Sequence, residues 1–435
     1  MWSILIALLI IILIALYWDT RKPKNFPPGP KWFPIIGCAW QLHYLHQRKG
    51  SLAKAIQELS LQYGSVVGAR IGRRRTVFVC GVKTIKELYT TDELNGRPDD
   101  ISTKSRTLGK RRGIVAVDSK IFLEQKRIVL KILKEHWFRR EILGNVLEQE
   151  VRTIIADIEK KIVENPKMCV NNLFGVHVVT SLYSLLTGHE TNNDNEDIKE
   201  LNSAMESFSQ NISLIGTVFT HFPFLRHICP DACGYNLYVN IHKRIITLLS
   251  KKVKELKVAN GYGFISAYLK MLDFGPNFSE DQLVAISLDI LIGGYDTTCN
   301  MLGFAFLYML LHPDVQAKVQ EEIDRVVGRE RLPTLDDRPR GTLDENSGWE
   351  NPKAFNPERF MKDGRLTIPN NFIQFGLGKR RCLGEVHART NIFLIIASLL
   401  QKFNFKAIPE NLPLLDIFEG FTPSVKPFKA LVTLR

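Results

Sequence analysis

The opening run, "MWSILIALLIIILIALYW", carries no charge over 18 residues. As a helix from Trp2 to Trp18 it would be about 26 Å long, close to the hydrocarbon thickness of a bilayer. Arg21, Lys22 and Lys24 follow the run rather than precede it, and no A-x-A site appears, so residues 1–20 read as an uncleaved membrane anchor rather than a signal peptide. The positive-inside rule then places the remainder in the cytosol. Next comes "FPPGPKWFPIIG", whose four prolines forbid regular helix and make residues 21–37 a stiff hinge.

From Ser51 to Leu256 apolar residues recur with helical period in segments such as "SLAKAIQELSLQYG" and "VLEQEVRTIIADIEKKIVE". Short strand-like runs such as "RRTVFVCG" lie between them. Ser279 opens a far longer run, with Gln282 in capping-box position and Pro313 closing it, which predicts a helix over 280–312 of roughly 50 Å. So long and apolar a helix must cross the domain core; Asp289 and Asp296 argue against a second membrane span. A further helix is predicted from Glu385 through "NIFLIIASLLQKF". The fold class is mainly α with small β-sheets behind an N-terminal transmembrane helix, and residues 38–435 form the body.

With 45% hydrophobic and 24% charged residues the chain as a whole is globular. Its formal charge of +13 is spread among acidic residues rather than gathered with aromatics, which points to acidic protein surfaces or anionic lipid and not to nucleic acid. The seven scattered cysteines include no CxxC pair, so a disulfide framework is not expected. His221, His227, Cys229 and Cys233 crowd one segment, but their spacing fits no standard zinc pattern.

Two motifs carry chemistry. "GGYDTT", Gly293 to Thr298, puts two glycines, a carboxylate and two hydroxyls where leucines would pack better. A local opening at Gly293 and Gly294 would admit a ligand, with Asp296 and Thr297 handling protons beside it; a satisfied polar patch between helices explains the same residues. In "FGLGKRRCLGE", Cys382 precedes a helix N-terminus and follows Lys379, Arg380 and Arg381, while Gly378 and Gly384 permit tight turns. Helix terminus and cations both favour a thiolate. A thiolate without a paired His or second Cys argues for a single-cysteine metal ligand, with haem iron the natural candidate.

Phe375, Gly378, Arg380, Cys382 and Gly384 match F-x-x-G-x-R-x-C-x-G, and the chain thereby resembles the cytochrome P-450 family of haem-thiolate monooxygenases. Anchor, proline hinge, "GGYDTT" and "FNPERF" at 355–360 stand in the family's order, and the resemblance is greatest to the microsomal members, insect ones among them. The resemblance implies haem b (heme) with Cys382 as axial ligand, Arg380 on a propionate, Phe375 beside the ring, and Asp296 and Thr297 as proton donors in dioxygen activation. It also implies a lipophilic small-molecule substrate (steroid, lipid or xenobiotic), NADPH-cytochrome P-450 reductase as electron source, and the endoplasmic reticulum membrane as location.

Two departures stand against it. The family's W-x-x-x-R is Phe122 and Lys126 here, so Lys126 would meet a propionate less rigidly than Arg. At "DDRPRGTLDENSGWENP" the segment bearing E-x-x-R and several strands is missing between Arg340 and Gly341, an internal truncation. Glu322 and Arg325 read E-x-x-R but belong to the preceding helix. Arg359 would lose its network partners, and an unpaired buried charge costs roughly 3 to 5 kcal/mol. The alternative reading is therefore a catalytically inactive splice or gene-model product that keeps the family shell.

Overall fold

The computed structural model describes residues 2–137, 139–213, 215–259, 261–337, 342–344, 354–363 and 365–435. The junction at 340/341 and the "WENP" motif at 349–352 lie outside the described residues. The chain divides into two units: one holds residues 1–95, 215–236 and 377–380, the other holds 96–214, 237–376 and 381–435.

In the first unit α1 (Trp2–Asp19) is apolar along its whole length and buries none of its residues, as a helix facing lipid would. Helix α2 (Ala39–Lys49) and α3 (Leu52–Tyr63) follow. Helix α3 starts where Ser51 Oγ accepts the Lys54 N–H at 3.2 Å. Strand β1 (Val66–Ile71) pairs antiparallel with β2 (Arg74–Val79). Five of the six β1 residues are buried, not every second one, because the proline segment covers the sheet's other side. The Gly68 N–H donates to Pro28 O at 2.8 Å, and a Cβ on Gly29 would collide with the Gly68 carbonyl. The expected hinge is thus a layer laid on β1.

The second unit is built on α4 (Ser119–Ile132), α5 (Arg140–Glu164), α6 (Gly175–Thr187), α7 (Glu280–Leu311), α8 (Pro313–Val326) and α9 (Glu385–Lys402). Strand β3 (Lys167–Cys169) and β4 (Phe403–Ala407) flank the C-terminal strand β7 (Lys429–Leu434), both antiparallel to it; β5 (Ile417–Glu419) and β6 (Pro423–Val425) form a hairpin. Thr342–Asp344 pairs in parallel with Arg365–Pro369. Phe306 of α7 stacks on Phe174 at 5.4 Å and meets Phe405 of β4 at 4.6 Å, tying helix to sheet.

Helix α7 runs within one residue of its predicted end. The Ser279 hydroxyl accepts the Gln282 N–H at 3.2 Å, but the Gln282 side chain does not complete a capping box. It pairs instead with both backbone groups of Gly113, at 3.1 and 2.9 Å. The helix continues unbroken through Gly293 and Gly294, so the local opening expected there does not occur. Gly294 faces α6, where a Cβ would collide with the Leu182 side chain.

Arg359 corrects another expectation. It sits half-buried in a short turn, Pro357–Phe360, with Nη2 donating to Ala354 O at 2.6 Å and Nε to Asn356 O at 3.1 Å. The turn curls its own carbonyls around the guanidinium, and partial exposure keeps the charge hydrated. The cost of a fully buried, unpaired charge does not arise. Glu322 and Arg325 lie on the exposed side of α8.

A real buried charge problem lies elsewhere. Glu150 of α5 is buried between helices, with Asn391 Nδ2 of α9 donating to it at 3.3 Å. Burial pushes its pKa up to about 8, against weaker lowering by hydrogen bonds from Ser181 and Asn391. An unfolded chain releases this proton near pH 4.5, whereas the folded chain holds it to about 8. The group's contribution is therefore full below pH 4.5 and is lost as pH rises to 8, at about 1.4 kcal/mol per unit. Glu150→Gln is expected to be more stable than the parent at pH 7.5 by an amount exceeding its difference at pH 5 by roughly 3 kcal/mol. Thermal midpoints of the two chains at both pH values check this; an equal difference at both would contradict it.

Candidate functional site

The Cys382 loop is closed by its own backbone: the Cys382 N–H donates to Phe375 O at 2.9 Å. Three residues on, Glu385 opens α9, a favourable place for an anion. Arg381 Nε and Arg389 Nε donate to its two oxygens at 2.8 and 3.0 Å, and the Arg389 guanidinium lies 4.8 Å over the Phe375 ring. Cys382 is accessible to solvent at the lip of this loop, yet enough protein surrounds its sulfur to cost it hydration. Burial pushes the thiol up, the Gly384 N–H pulls it down, the Glu385 carboxylate pushes it up again, and Arg381 and the Glu385 N–H lower it less; the net direction is upward. Without the iron, burial and Glu385 thus outweigh the arginine and the helix-terminal N–H groups that favour the thiolate. Glu385 holds both arginines, and a bound metal cation favours the deprotonated sulfur.

Gly378 and Arg380 of the same signature fall in the first unit. Gly378 takes φ +64° and comes so close to the Tyr89 carbonyl that a Cβ there would collide with it. Lys379 pairs with Asp92 at 2.6 Å, and Arg380 Nε and Nη2 donate to Asn95 O at 3.1 and 2.9 Å.

In the second unit α7 shows one break in its burial. Gly293, Thr297 and Met301, spaced by four, are exposed along a helix whose other faces are mostly buried. A Cβ on Gly293 would meet nothing within 4 Å. The Thr297 hydroxyl folds back to donate to Gly293 O at 2.6 Å. Asp296, one position round the helix, is buried, and its Oδ2 accepts the Thr422 hydroxyl, which itself accepts from Asn300 Nδ2 at 2.7 Å. Asp296 and Thr297 are thus neighbours in sequence in unlike surroundings. Helix α9, which follows Cys382, packs against α7. Lys126 lies over the ring of buried Phe122 at 5.7 Å on α4, where the family pattern has Arg and Trp.

Sequence reasoning missed several residues. Asp289 registered only as an interruption of the apolar run. In the structure it accepts the Ile114 and Val115 N–H groups at 2.6 and 2.9 Å and pairs with Arg106, pinning residues 106–115 to α7. Its charge inside a buried helix was the available signal. Thr422, in the turn between β5 and β6, had none.

Among the described residues no group of three or more His, Cys, Asp or Glu side chains could hold a metal ion, and all seven cysteines are free. A haem fits what is present: an accessible sulfur in a loop closed on the Phe375 carbonyl, and a low, open face on α7, which packs against α9.

The family model described as Cytochrome P450 matches residues 27–343 and 339–432, two pieces meeting at 339–343. Probable cytochrome P450 303a1 of Drosophila melanogaster is 30% identical over 489 aligned residues, covering 98% of this chain and 97% of its own length. Farnesoate epoxidase of Bombyx mori is 29% identical over 497, covering 99% of each. Cytochrome P450 2J3 of Rattus norvegicus is 26% identical over 461, covering 93% and 90%. Each alignment is longer than the 435 residues of this chain.

Proposed function

The chain belongs to the cytochrome P450 family, and from that membership we propose that it inserts one oxygen atom of O2 into a lipophilic small molecule at the endoplasmic reticulum membrane. Electrons come from NADPH through its P450 reductase, and the body faces the cytosol. The family's cofactor is haem b, with iron on a cysteine thiolate. When bound it supplies dioxygen activation. The observation that carries the reading is Cys382, accessible to solvent three residues before α9 in a loop closed by its own N–H on Phe375 O.

The residues divide the work. Cys382 would hold the iron, at the head of α9. Phe375 would lie beside the haem ring, while Arg380 and Lys126 would supply charge for its propionates. Gly293 leaves room on α7. We assign proton delivery to the Thr297 hydroxyl, which rests on the Gly293 carbonyl along the exposed strip, and to Asp296, whose carboxylate accepts the Thr422 hydroxyl on the buried side. The silkworm relative is named for epoxidising farnesoate, which supports a lipophilic substrate class.

A second reading has its own support. The family model's two-piece match meets where the E-x-x-R segment is missing, at 340/341, and favours a product that keeps the shell without the activity. The carbon monoxide difference spectrum of the reduced, membrane-expressed chain, with its haem content, separates the two. A strongly red-shifted Soret band with stoichiometric haem is expected for the enzyme. No haem, or the band of a neutral thiol or histidine ligand, would establish the second reading.

A further inference from the structure

The end of α1 is not loose. Arg70 lies in β1 with its side chain 8% exposed, and it reaches across to the last residue of the anchor helix. Its Nη1 donates to Asp19 Oδ1 at 2.8 Å and to Asp19 O at 2.6 Å; its Nη2 donates to Asp19 Oδ2 at 2.9 Å. The same Nη2 reaches Phe33 O at 2.8 Å, and Asp19 Oδ2 also accepts the Ile35 N–H at 2.7 Å. Beneath the guanidinium the Trp32 ring lies at 5.1 Å, and the Arg70 carbonyl is fixed by the Cys38 N–H at 2.7 Å.

This is a two-pronged ion pair shielded on one side by an aromatic ring, with Nη1 and Nη2 each also donating to a backbone carbonyl while Nε is buried without an acceptor. A tether that only kept the body near a membrane would need none of it. Lys22 adds a further tie, its Nζ donating to Gly29 O at 2.7 Å, and Gly29 is the residue pressed onto Gly68 of β1. From Asp19 to Ile71 the chain is one continuous set of contacts.

We propose that Asp19 and Arg70 form a clamp that joins the membrane helix to the β1–β2 sheet as one rigid piece, so that the helix's tilt in the bilayer fixes the angle at which the first unit meets the membrane surface. The proposal rests on the reading of α1 as a membrane anchor. It goes beyond that reading in making residues 20–37 an ordered joint rather than a flexible linker.

The full chain in phospholipid vesicles, treated with trypsin, tests it. Arg21 and Lys24 are cleavable positions within the joint, and their cutting rates, followed by mass spectrometry, report its opening. The parent chain and Asp19→Glu are expected to be cut slowly there. Asp19→Ala, a change at a half-exposed position outside the folded core, is expected to be cut at least tenfold faster at Arg21 and Lys24 with rates at lysines of the second unit unchanged. Asp19→Ala cut at the parent rate at both positions would overturn the clamp. Retention on the vesicles after an alkaline wash reports the anchor separately, and loss of the parent chain in that wash would overturn the anchor reading and the clamp with it.

Discussion

A Cys382→Ser chain, reduced under carbon monoxide in the membrane, is expected to lose the thiolate Soret band entirely, and product formation is expected to fall more than about a hundredfold, beyond the losses seen when only the outer partners of a metal are changed. Serine keeps the backbone contact to Phe375, so the loop remains closed. What it removes is the soft, polarizable donor that electron-rich iron requires. An alkoxide is far harder to form than a thiolate, and this loop already works against ionisation, because burial and Glu385 hold even the Cys382 thiol above its ordinary range. Cys299→Ser supplies the contrast, since that thiol is enclosed in α7 and its burial pushes it well up; its spectrum is expected to match the parent's. Persistence of the red-shifted band in Cys382→Ser would remove Cys382 as the ligand.

Asp289→Ala is expected to be the most damaging single change to stability. It strands the Arg106 guanidinium, whose side chain is 12% exposed, and leaves the Ile114 and Val115 N–H groups without the acceptor they share. Breaking one side of a buried pair costs roughly 3–5 kcal/mol, and each abandoned donor adds about 1 kcal/mol or more. Against a total stability of about 5–15 kcal/mol, the thermal midpoint should fall on the order of 10 °C. Asp289→Asn, which still accepts from the two amides, should lose less. Adding Arg106→Ala to Asp289→Ala should recover part of the loss, because the stranded charge goes with it. Unfolding of Asp289→Ala at the parent temperature would show that residues 106–115 are held by something else.

The contrast between these two residues marks what a chain reveals before it is folded. Cys382 was legible because everything that defines it is local: a glycine on either side, basic residues before it and an apolar helix after it. Ser279, Pro313 and the charge-free run of α1 were legible for the same reason, and each helix end they predict is found within about a residue. Asp289 announced only a conflict, since its partners Arg106 and Ile114 are far away in sequence. Gln282 had a local role ready in the capping box and took a distant one at Gly113. Thr422 carried no signal, because a threonine in a turn is ordinary until the fold brings a buried carboxylate to it. Around Cys382 the nearby cations were legible but their anion's role was not: Glu385 was in view, and its two salt bridges were not.

The exposed strip on α7 has a relief as well as a chemistry. Gly293 contributes no side chain, Thr297 bends its hydroxyl down onto the Gly293 carbonyl, and Met301 stands up with 46% of its surface showing. Over the roughly 12 Å that these three positions span, the height of the surface therefore rises in one direction. A flat molecule laid along it would rest as on a ramp, nearly touching the main chain at one end and propped off it by a thioether at the other.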